Sequence, residues 1–177
     1  MRSINIILAG VLLWSLACED EQIEFENPLD LYEGDVPALV FNPNKIDISV
    51  GDSTQIDIYV LEASDVSGVH AQIQYDTTKL SVSSVTVGSF FVSDQTPIFI
   101  FKDQSGTLDI FSYYLGSDKS VTGTGVIGTV TFNAKVPGNS EIKFTTQSEL
   151  VDPSDQPIEI RSLGQGGNQC AIKQLPC

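Results

Sequence analysis

The stretch GVHAQIQYD, residues 68–76, alternates apolar and polar side chains without a break. Successive side chains of a β-strand point to opposite faces, so this period of two predicts a strand with one buried and one exposed face. The buried set would be Val69, Ala71, Ile73 and Tyr75, and the exposed set His70, Gln72, Gln74 and Asp76. The stretch therefore predicts an element that separates a hydrophobic core from solvent.

The same period continues outward in both directions along the chain. STQIDIYVLEA, residues 53–63, lies upstream, and GVIGTVTFNAK, residues 125–135, lies downstream. Turn-forming residues such as Pro137 and Gly138 separate the runs, and no amphipathic helix stands out. Many short strands at steady spacing predict an all-β fold, a β-sandwich or jelly roll of two packed sheets.

The run TLDIFSYYL, residues 107–115, carries apolar side chains on both of its predicted faces. Because the charged Asp109 should face solvent, the residues of its parity should face solvent with it, although a single bulge would reverse this assignment. Exposed aromatic and aliphatic side chains on a sheet are typical of contact sites. The predicted outward set is Asp109, Phe111, Tyr113 and Leu115.

The N-terminus has the plan of a secretory signal. Arg2 precedes an apolar run that is shorter than the roughly 20 residues of a transmembrane helix. The run ends in Ser15-Leu16-Ala17-Cys18, which resembles the lipobox of bacterial lipoproteins. We therefore predict a signal peptide at residues 1–17, lipidation of Cys18 and an acidic tether at residues 18–36. The alternative is that Cys18 is a free or bridging cysteine.

The remaining two cysteines lie close together near the C-terminus. Cys170 and Cys177 sit in a Gly-rich segment, residues 164–177, which we predict to be a tail outside the domain. An exported protein meets an oxidising compartment, which favours a disulfide between them. Zinc is the rival interpretation, but the single histidine, His70, is distant in sequence.

The net charge of the chain limits the classes of partner that it can bind. The 23 acidic and 9 basic residues give a formal net charge of −14. Such a surface repels nucleic-acid phosphates and favours a soluble monomer, so we expect no nucleic-acid partner.

Contact with a membrane would come through the lipid anchor. The predicted location is the cell envelope, as an exported outer-membrane lipoprotein that faces either the periplasm or the cell surface.

Three stretches of the chain resemble the cohesin domain family. DISVGDSTQIDIYV resembles its opening strands, and GVHAQIQYDTTKLSVSSVTVGSFF resembles its central signature. SVTGTGVIGTVTFNAKVPGNSEIKF resembles its later signature, with a Gly-x-Gly turn and a Pro-Gly turn. Together they cover most of residues 37–161. The resemblance implies a nine-stranded jelly roll, which we assign to residues 37–163.

The resemblance also implies a function without catalysis. Cohesins in cellulosomes bind dockerin modules on glycoside hydrolases, so the chain would dock a dockerin-bearing protein in polysaccharide degradation. This chain has one such domain and no dockerin-like repeat. The partner would contact a sheet face built from GVHAQIQYD and TLDIFSYYL. For GVHAQIQYD, the alternative is an ordinary solvent-facing surface. The predicted partner-binding residues are His70, Gln72, Gln74, Asp109, Phe111, Tyr113 and Leu115.

Direct polysaccharide binding by the same fold is the alternative function. Flat sugar-binding sites normally use a row of aromatic rings, and the single tryptophan, Trp14, lies in the predicted signal peptide. No spacing of Ser, His and Asp indicates a catalytic site, so we expect no enzyme and no cofactor. Asp152, Asp155 and Glu159 lack the regular spacing of a calcium loop, so we interpret them as surface acidity rather than a metal site.

Overall fold

The computed structural model describes residues 32–91, 96–116, 118–164 and 168–173. In these ranges the chain forms strands and turns, and none of it forms a helix with the length and apolarity needed to cross a membrane. The strands of the described residues are β1 (Ala38–Asn42), β2 (Lys45–Ser49), β3 (Ser53–Val66), β4 (Gly68–Tyr75), β5 (Leu80–Val87), β6 (Ile98–Gln104), β7 (Thr107–Tyr113), β8 (Val121–Ala134), β9 (Gly138–Phe144), β10 (Glu149–Val151), β11 (Pro157–Ile158), β12 (Ser162–Leu163) and β13 (Asn168–Lys173).

The first sheet, sheet A, has the strand order β12-β1-β3-β8-β5. Its two long strands, β3 and β8, pair antiparallel, and the register shifts at three bulges. Glu62 and Asp65 lie at these bulges with φ angles of 46° and 59°. Their backbone N–H groups donate to the hydroxyls of Thr124 and Thr122, at 3.0 and 2.9 Å. The Thr-Gly repeat of β8 therefore supports the bend in β3.

The second sheet, sheet B, has the order β11-β10-β4-β9-β13-β2, with β7 on the other edge of β4 and β6 beyond β7. The first half of β4 pairs with β10 and the second half with β9, while β7 pairs along its whole length. The strand predicted from residues 68–76 therefore lies at the centre of this sheet. The central position of β4 places its outward side chains next to those of β10, β9 and β7 on one surface of sheet B.

The core lies between the two sheets. The inward residues of β4 are at most 7% exposed, as the alternating pattern predicts, and Ile56, Ile58 and Val60 of β3 face them from sheet A. The prediction of an all-β sandwich is confirmed. The described residues contain thirteen strands, and three of them, β10, β11 and β12, are pairings of only two or three residues, so the count is roughly consistent with the nine that were expected.

The domain continues past its predicted end at residue 163. β13 pairs antiparallel with β9 and parallel with β2, so part of the predicted tail is an internal strand of sheet B. Ile172 is 5% exposed and belongs to the core. Cys18 and Cys177 lie outside the described residues, so lipidation and the disulfide with Cys170 stay predictions.

Candidate docking face

The outward side chains of β10, β4, β7 and β6 form a continuous surface, which we call the outer face of sheet B. Residues that stand opposite each other in a ladder point to the same side of the sheet. His70 stands opposite Glu149 on one side and Phe111 on the other, and Phe111 stands opposite Ile100. His70 therefore lies between a polar neighbour, Glu149, and an apolar pair, Phe111 and Ile100, in the middle of the sheet.

A hydrogen-bond chain crosses this face from β9 to β7. The Thr145 hydroxyl, just after β9, donates to Oε1 of Gln72 at 2.6 Å. Nε2 of Gln72 then donates to Oδ1 of Asp109 at 2.8 Å. Nε2 of His70 lies 2.8 Å from the same oxygen and, since a carboxylate only accepts, carries the proton. Two donors thus fix the orientation of Asp109.

The protonation equilibrium of Asp109 reflects this environment. Burial by itself raises the pKa of its carboxyl, but hydrogen bonds from Gln72 and His70, together with the charges of His70 and Lys102, outweigh that effect. The pKa of Asp109 therefore lies below its ordinary value. Asp109 presents a fixed negative charge to anything that approaches the outer face of sheet B.

Aromatic and aliphatic side chains lie next to the carboxylate. The rings of His70 and Phe111 stack with centroids 4.3 Å apart and planes 11° apart. Ile100 extends this surface across β6 and is 51% exposed, while Tyr113 is half-buried. A rigid apolar patch next to a fixed charge is the arrangement of a protein contact site.

The structure brings six of the seven predicted contact residues onto β4 and β7. Leu108, Ile110 and Ser112 of β7 point into the core, so the other parity faces outward. Leu115 follows the end of β7 and is 60% exposed. Gln74 is exposed beside Thr107, outside the hydrogen-bond chain. The predicted outward residues of β7 therefore lie together with His70 and Gln72, and their contact with a partner stays a prediction.

Sequence reasoning missed three contributors to this face: Thr145, Glu149 and Ile100. Thr145 and Glu149 join the face through pairings with β4 that are distant in sequence. Their residue types gave no signal. The run PIFIFKD, residues 97–103, has apolar side chains at both parities, and pairing with β7 places Ile100 outward.

The acidic loop after β10 has a local structural role. Oδ1 of Asp152 accepts hydrogen bonds from the backbone N–H groups of Ser154 and Gln156, at 2.7 and 2.9 Å. These bonds close the turn between β10 and β11. Over the described ranges, no group of three His, Cys, Asp or Glu side chains is arranged to hold a metal ion.

The sequence also matches a family model. The model described as Cohesin domain matches residues 40–162, well over half of the chain. The chain belongs to the cohesin domain family. Cohesin domains are non-catalytic protein-binding modules, so this chain is a binding protein rather than an enzyme. No curated protein sequence matches the chain.

Solved cohesin structures share this fold at low sequence identity. The non-cellulosomal cohesin of Archaeoglobus fulgidus is 15% identical, with a TM-score of 0.60, 77% of this chain and 88% of that chain being covered. The sixth cohesin of Acetivibrio cellulolyticus scaffoldin B, in complex with a Cel5 dockerin mutant, is 17% identical, with a TM-score of 0.64 and coverages of 77% and 98%. The cohesin of a type I cohesin–dockerin complex from Clostridium thermocellum is 14% identical, with a TM-score of 0.64; the match covers 81% of this chain and 98% of that chain.

Proposed function

We propose that this cohesin domain docks a dockerin-bearing protein through the outer face of sheet B. The observation that carries the proposal is the fixed carboxylate of Asp109 beside an apolar patch of half-buried Phe111 and exposed Ile100. Strands hold both features, so little conformational entropy is lost when a partner binds. The dockerin complexes of the related cohesins support this class of partner.

The proposal extends to the place where docking occurs. Residues 1–17 have the plan of an export signal, and Cys18 would carry the lipid that holds the domain to the outer membrane. One acyl chain anchors weakly, so firm attachment needs more than one. An envelope-anchored cohesin would recruit dockerin-bearing glycoside hydrolases to the cell, where polysaccharides are degraded.

Titration with purified type I and type II dockerin modules tests the docking. We expect Phe111→Ala to weaken binding by about 30-fold, corresponding to a hot spot of about 2 kcal/mol. Thr86→Ala, an exposed change on the outer side of sheet A, is the matched control and should leave affinity unchanged. Equal weakening by both variants would place the contact elsewhere.

Two further results would contradict the proposal. Absence of binding to every dockerin module would remove the dockerin partner. Retardation of the chain in gels that contain soluble glycans, abolished by Phe111→Ala, would instead assign this face to polysaccharide binding.

The anchor is tested separately from docking. The full-length chain and Cys18→Ser are expressed in a Gram-negative host, and the cells are fractionated. We expect the unmodified sequence in the membrane fraction with a mass increase of lipid size, and the variant without it. A soluble, unlipidated protein in both cases would leave the docking proposal standing and remove the anchor.

A further inference from the structure

β6 is an edge strand of sheet B. Its seven residues, Ile98–Gln104, pair with β7 without a register shift, and no other described strand pairs with it. A long, flat, apolar edge strand is a template for a further strand unless charges, bulges, proline or a covering segment protect it. The β6 edge is therefore a place at which the described sheet can extend.

The other edges of the two sheets are protected. β11 and β12 have only two residues each, and β5 contains a register shift. β2 has five residues and exposes Lys45 and Asp47. The apolar end of sheet A is covered by Tyr32 and Val36, which lie in the predicted tether. Among the described residues, nothing of this kind protects β6 apart from two charged residues near its end.

The turn between β6 and β7 determines which backbone groups of β6 are free. The two-residue loop Ser105-Gly106 has φ angles of 54° and 86°, so the residues that flank it, Gln104 and Thr107, form a hydrogen-bonded pair. Because such pairs recur at every second residue, the even-numbered residues of β6 bond to β7. The residues that direct their N–H and C=O groups to the free side are Phe99, Phe101 and Asp103.

The ladder between β7 and β4 agrees with this alternation. Even-numbered positions of β7 should bond toward β4, because their odd-numbered neighbours bond toward β6. The N–H of Tyr114, one residue beyond β7, donates to the carbonyl of Ser67, one residue before β4, at 3.0 Å. The alternation therefore holds on both sides of β7.

The side chains of β6 are apolar on both sides of the strand. Ile100 lies on the outer face of sheet B and is 51% exposed, whereas Phe101 has the opposite parity and is 46% exposed. Phe99 shares the parity of Phe101 and packs against the main core. The segment Phe99-Ile100-Phe101 reads the same in both directions. An antiparallel copy of this segment would therefore place apolar side chains opposite apolar side chains at all three positions.

We propose that β6 pairs antiparallel with β6 of a second copy of this chain, about a twofold axis at Ile100. Phe99 of each copy then stands opposite Phe101 of the other, and their free N–H and C=O groups form two hydrogen-bonded pairs. Aromatic pairs on the inner side of the ladder and an aliphatic pair on its outer side stabilise the contact. The outer faces of sheet B of the two copies join into one surface. This inference does not depend on the proposed docking function.

The charges of β6 favour this register over its neighbours. Lys102 would stand opposite Ile98 of the second copy, so the two lysines lie four residues apart along the ladder. A register centred on Phe101 would place Ile100 opposite Lys102, an apolar side chain against a charged one. A register centred on Lys102 would place like charges directly opposite each other, which is destabilising. Only the register centred on Ile100 avoids both.

The size of the contact and the charge of the chain make the association weak. One strand pair buries less than the roughly 1,200–2,000 Å² of a stable interface. Each copy also carries a net charge of −14, which opposes association. We expect a dissociation constant on the order of 100 μM at 150 mM NaCl, where the Debye length is about 8 Å. The expected monomer is then the main species in dilute solution.

Disulfide cross-linking of the full chain in a glutathione redox buffer tests both the pairing and its register. The two Ile100 residues would form a non-hydrogen-bonded pair with Cα atoms about 4.5 Å apart, which a disulfide can span. We expect Ile100→Cys to give a link between the two position-100 peptides, identified by mass spectrometry. Lys102→Cys, on the same face of the same strand, is the matched control. Its positions would lie about 13 Å apart along the ladder, so its link should be at least ten-fold less abundant.

A proline at position 101 tests the backbone pairing. Phe101→Pro removes an N–H that faces the second copy and none that bonds to β7. Combined with Ile100→Cys, it should reduce the position-100 link at least ten-fold. Phe101→Leu keeps the N–H and an apolar side chain, so it should retain the link. Thermal unfolding shows whether the proline variant is folded. Sedimentation equilibrium of the unmodified chain, from about 10 μM to about 1 mM, needs no variant and should show a rising mass.

Three outcomes would overturn the proposal. A mass that stays monomeric up to about 1 mM would leave this edge to a strand of a different protein. Equal links at positions 100 and 102 would indicate random collision. A link that persists in a folded Phe101→Pro variant would exclude the backbone pairing. No dockerin is present in these measurements, so failure of this contact and failure of the docking proposal are distinguishable.

Discussion

The carboxylate of Asp109 links three parts of the outer face of sheet B. It accepts from Gln72 on β4 and from His70 on the same strand, and Gln72 in turn accepts from Thr145 after β9. A single side chain on β7 therefore determines the positions of two others and, through ring stacking, of Phe111. Preorganisation of this kind lowers the entropic cost of binding.

Replacement of Asp109 tests the energetic side of this arrangement. The depressed pKa of Asp109 means that its carboxylate stabilises the fold above its unfolded pKa of about 3.9, and this stabilisation is lost as the pH falls through the lower folded pKa. We expect Asp109→Asn to cost about 1–2 kcal/mol of unfolding free energy at pH 7. The difference from the unmodified chain should shrink below about pH 4.

Urea denaturation at pH 7, 5 and 3 measures this difference. Asp47→Asn is the matched control, because that carboxylate is 55% exposed and pairs only loosely with Lys173, at 3.7 Å. If the difference for Asp109→Asn widened as the pH fell, the pKa of Asp109 would be raised by folding rather than lowered.

Gly88 shows how a residue can be fixed by a neighbouring backbone. A Cβ at this position would lie 2.2 Å from the carbonyl oxygen of Val126, which cannot move without breaking the ladder. We expect Gly88→Ala to lower the unfolding free energy by about 1–3 kcal/mol, the usual cost of overpacking. Thermal unfolding measures the loss. Ser89→Ala, an exposed change at the next position, should leave the midpoint unchanged.

At the scale of elements, local alternation was enough to predict the strands that carry the candidate site. The pattern of residues 68–76 predicted both the strand β4 and its outward residues, because one buried face requires a period of two. The parity of β7 followed from one charged residue, Asp109. Where two apolar faces compete, as in β6, only the pairing with β7 decides which side chains face outward.

Elements that depend on distant pairing could not be predicted from the sequence. β13 lies after a glycine-rich segment and contains a lysine and a glutamine, so it resembles a tail until β9 and β2 provide partners on both sides. The bulges of β3 are likewise determined by hydroxyls of β8. The link from Thr145 to Gln72 joins residues 73 positions apart.

Ile172 tests whether β13 belongs to the domain. Because this side chain is buried in the main core, Ile172→Ala should cost about 2–5 kcal/mol. The matched control is Lys173→Ala, at a neighbouring position whose side chain is 66% exposed. Urea denaturation of both variants gives the comparison. Equal midpoints for the two variants would mean that residues 168–173 form a tail, as the glycine-rich sequence before them predicts.

At the scale of the whole molecule, the two outer surfaces of the sandwich differ in how they are used. The apolar end of sheet A is covered by the chain that leads into β1, whereas the apolar patch of sheet B, around Ile100, remains exposed. An exposed patch that the described residues leave open is available to a partner. The two outer surfaces are therefore not equivalent. The apolar end of sheet A is covered by the protein's own chain, and the apolar patch of sheet B is exposed to solvent.

The net charge of −14 acts on the molecule as a whole. Excess carboxylates repel one another more strongly in the compact state than in the unfolded chain. Few described ion pairs offset this repulsion, and Lys79–Asp76, Lys143–Glu141 and Lys173–Asp47 are loose, at 3.6–3.8 Å. We expect the urea midpoint to rise between 10 and 150 mM NaCl, as the Debye length falls from about 30 to about 8 Å. A midpoint that falls with salt would mean that ion pairs outweigh the repulsion.

The position of β13 has a consequence for the timing of folding during synthesis. β2 leaves the ribosome early, but the strand that separates it from β9 is made last among the described strands. At about 5–20 residues per second, β2 waits roughly 6–24 s for that neighbour. Sheet A up to β8 can pair during this interval while sheet B stays open. The complete sandwich therefore forms only after β13 has been made, late in the synthesis of the described strands.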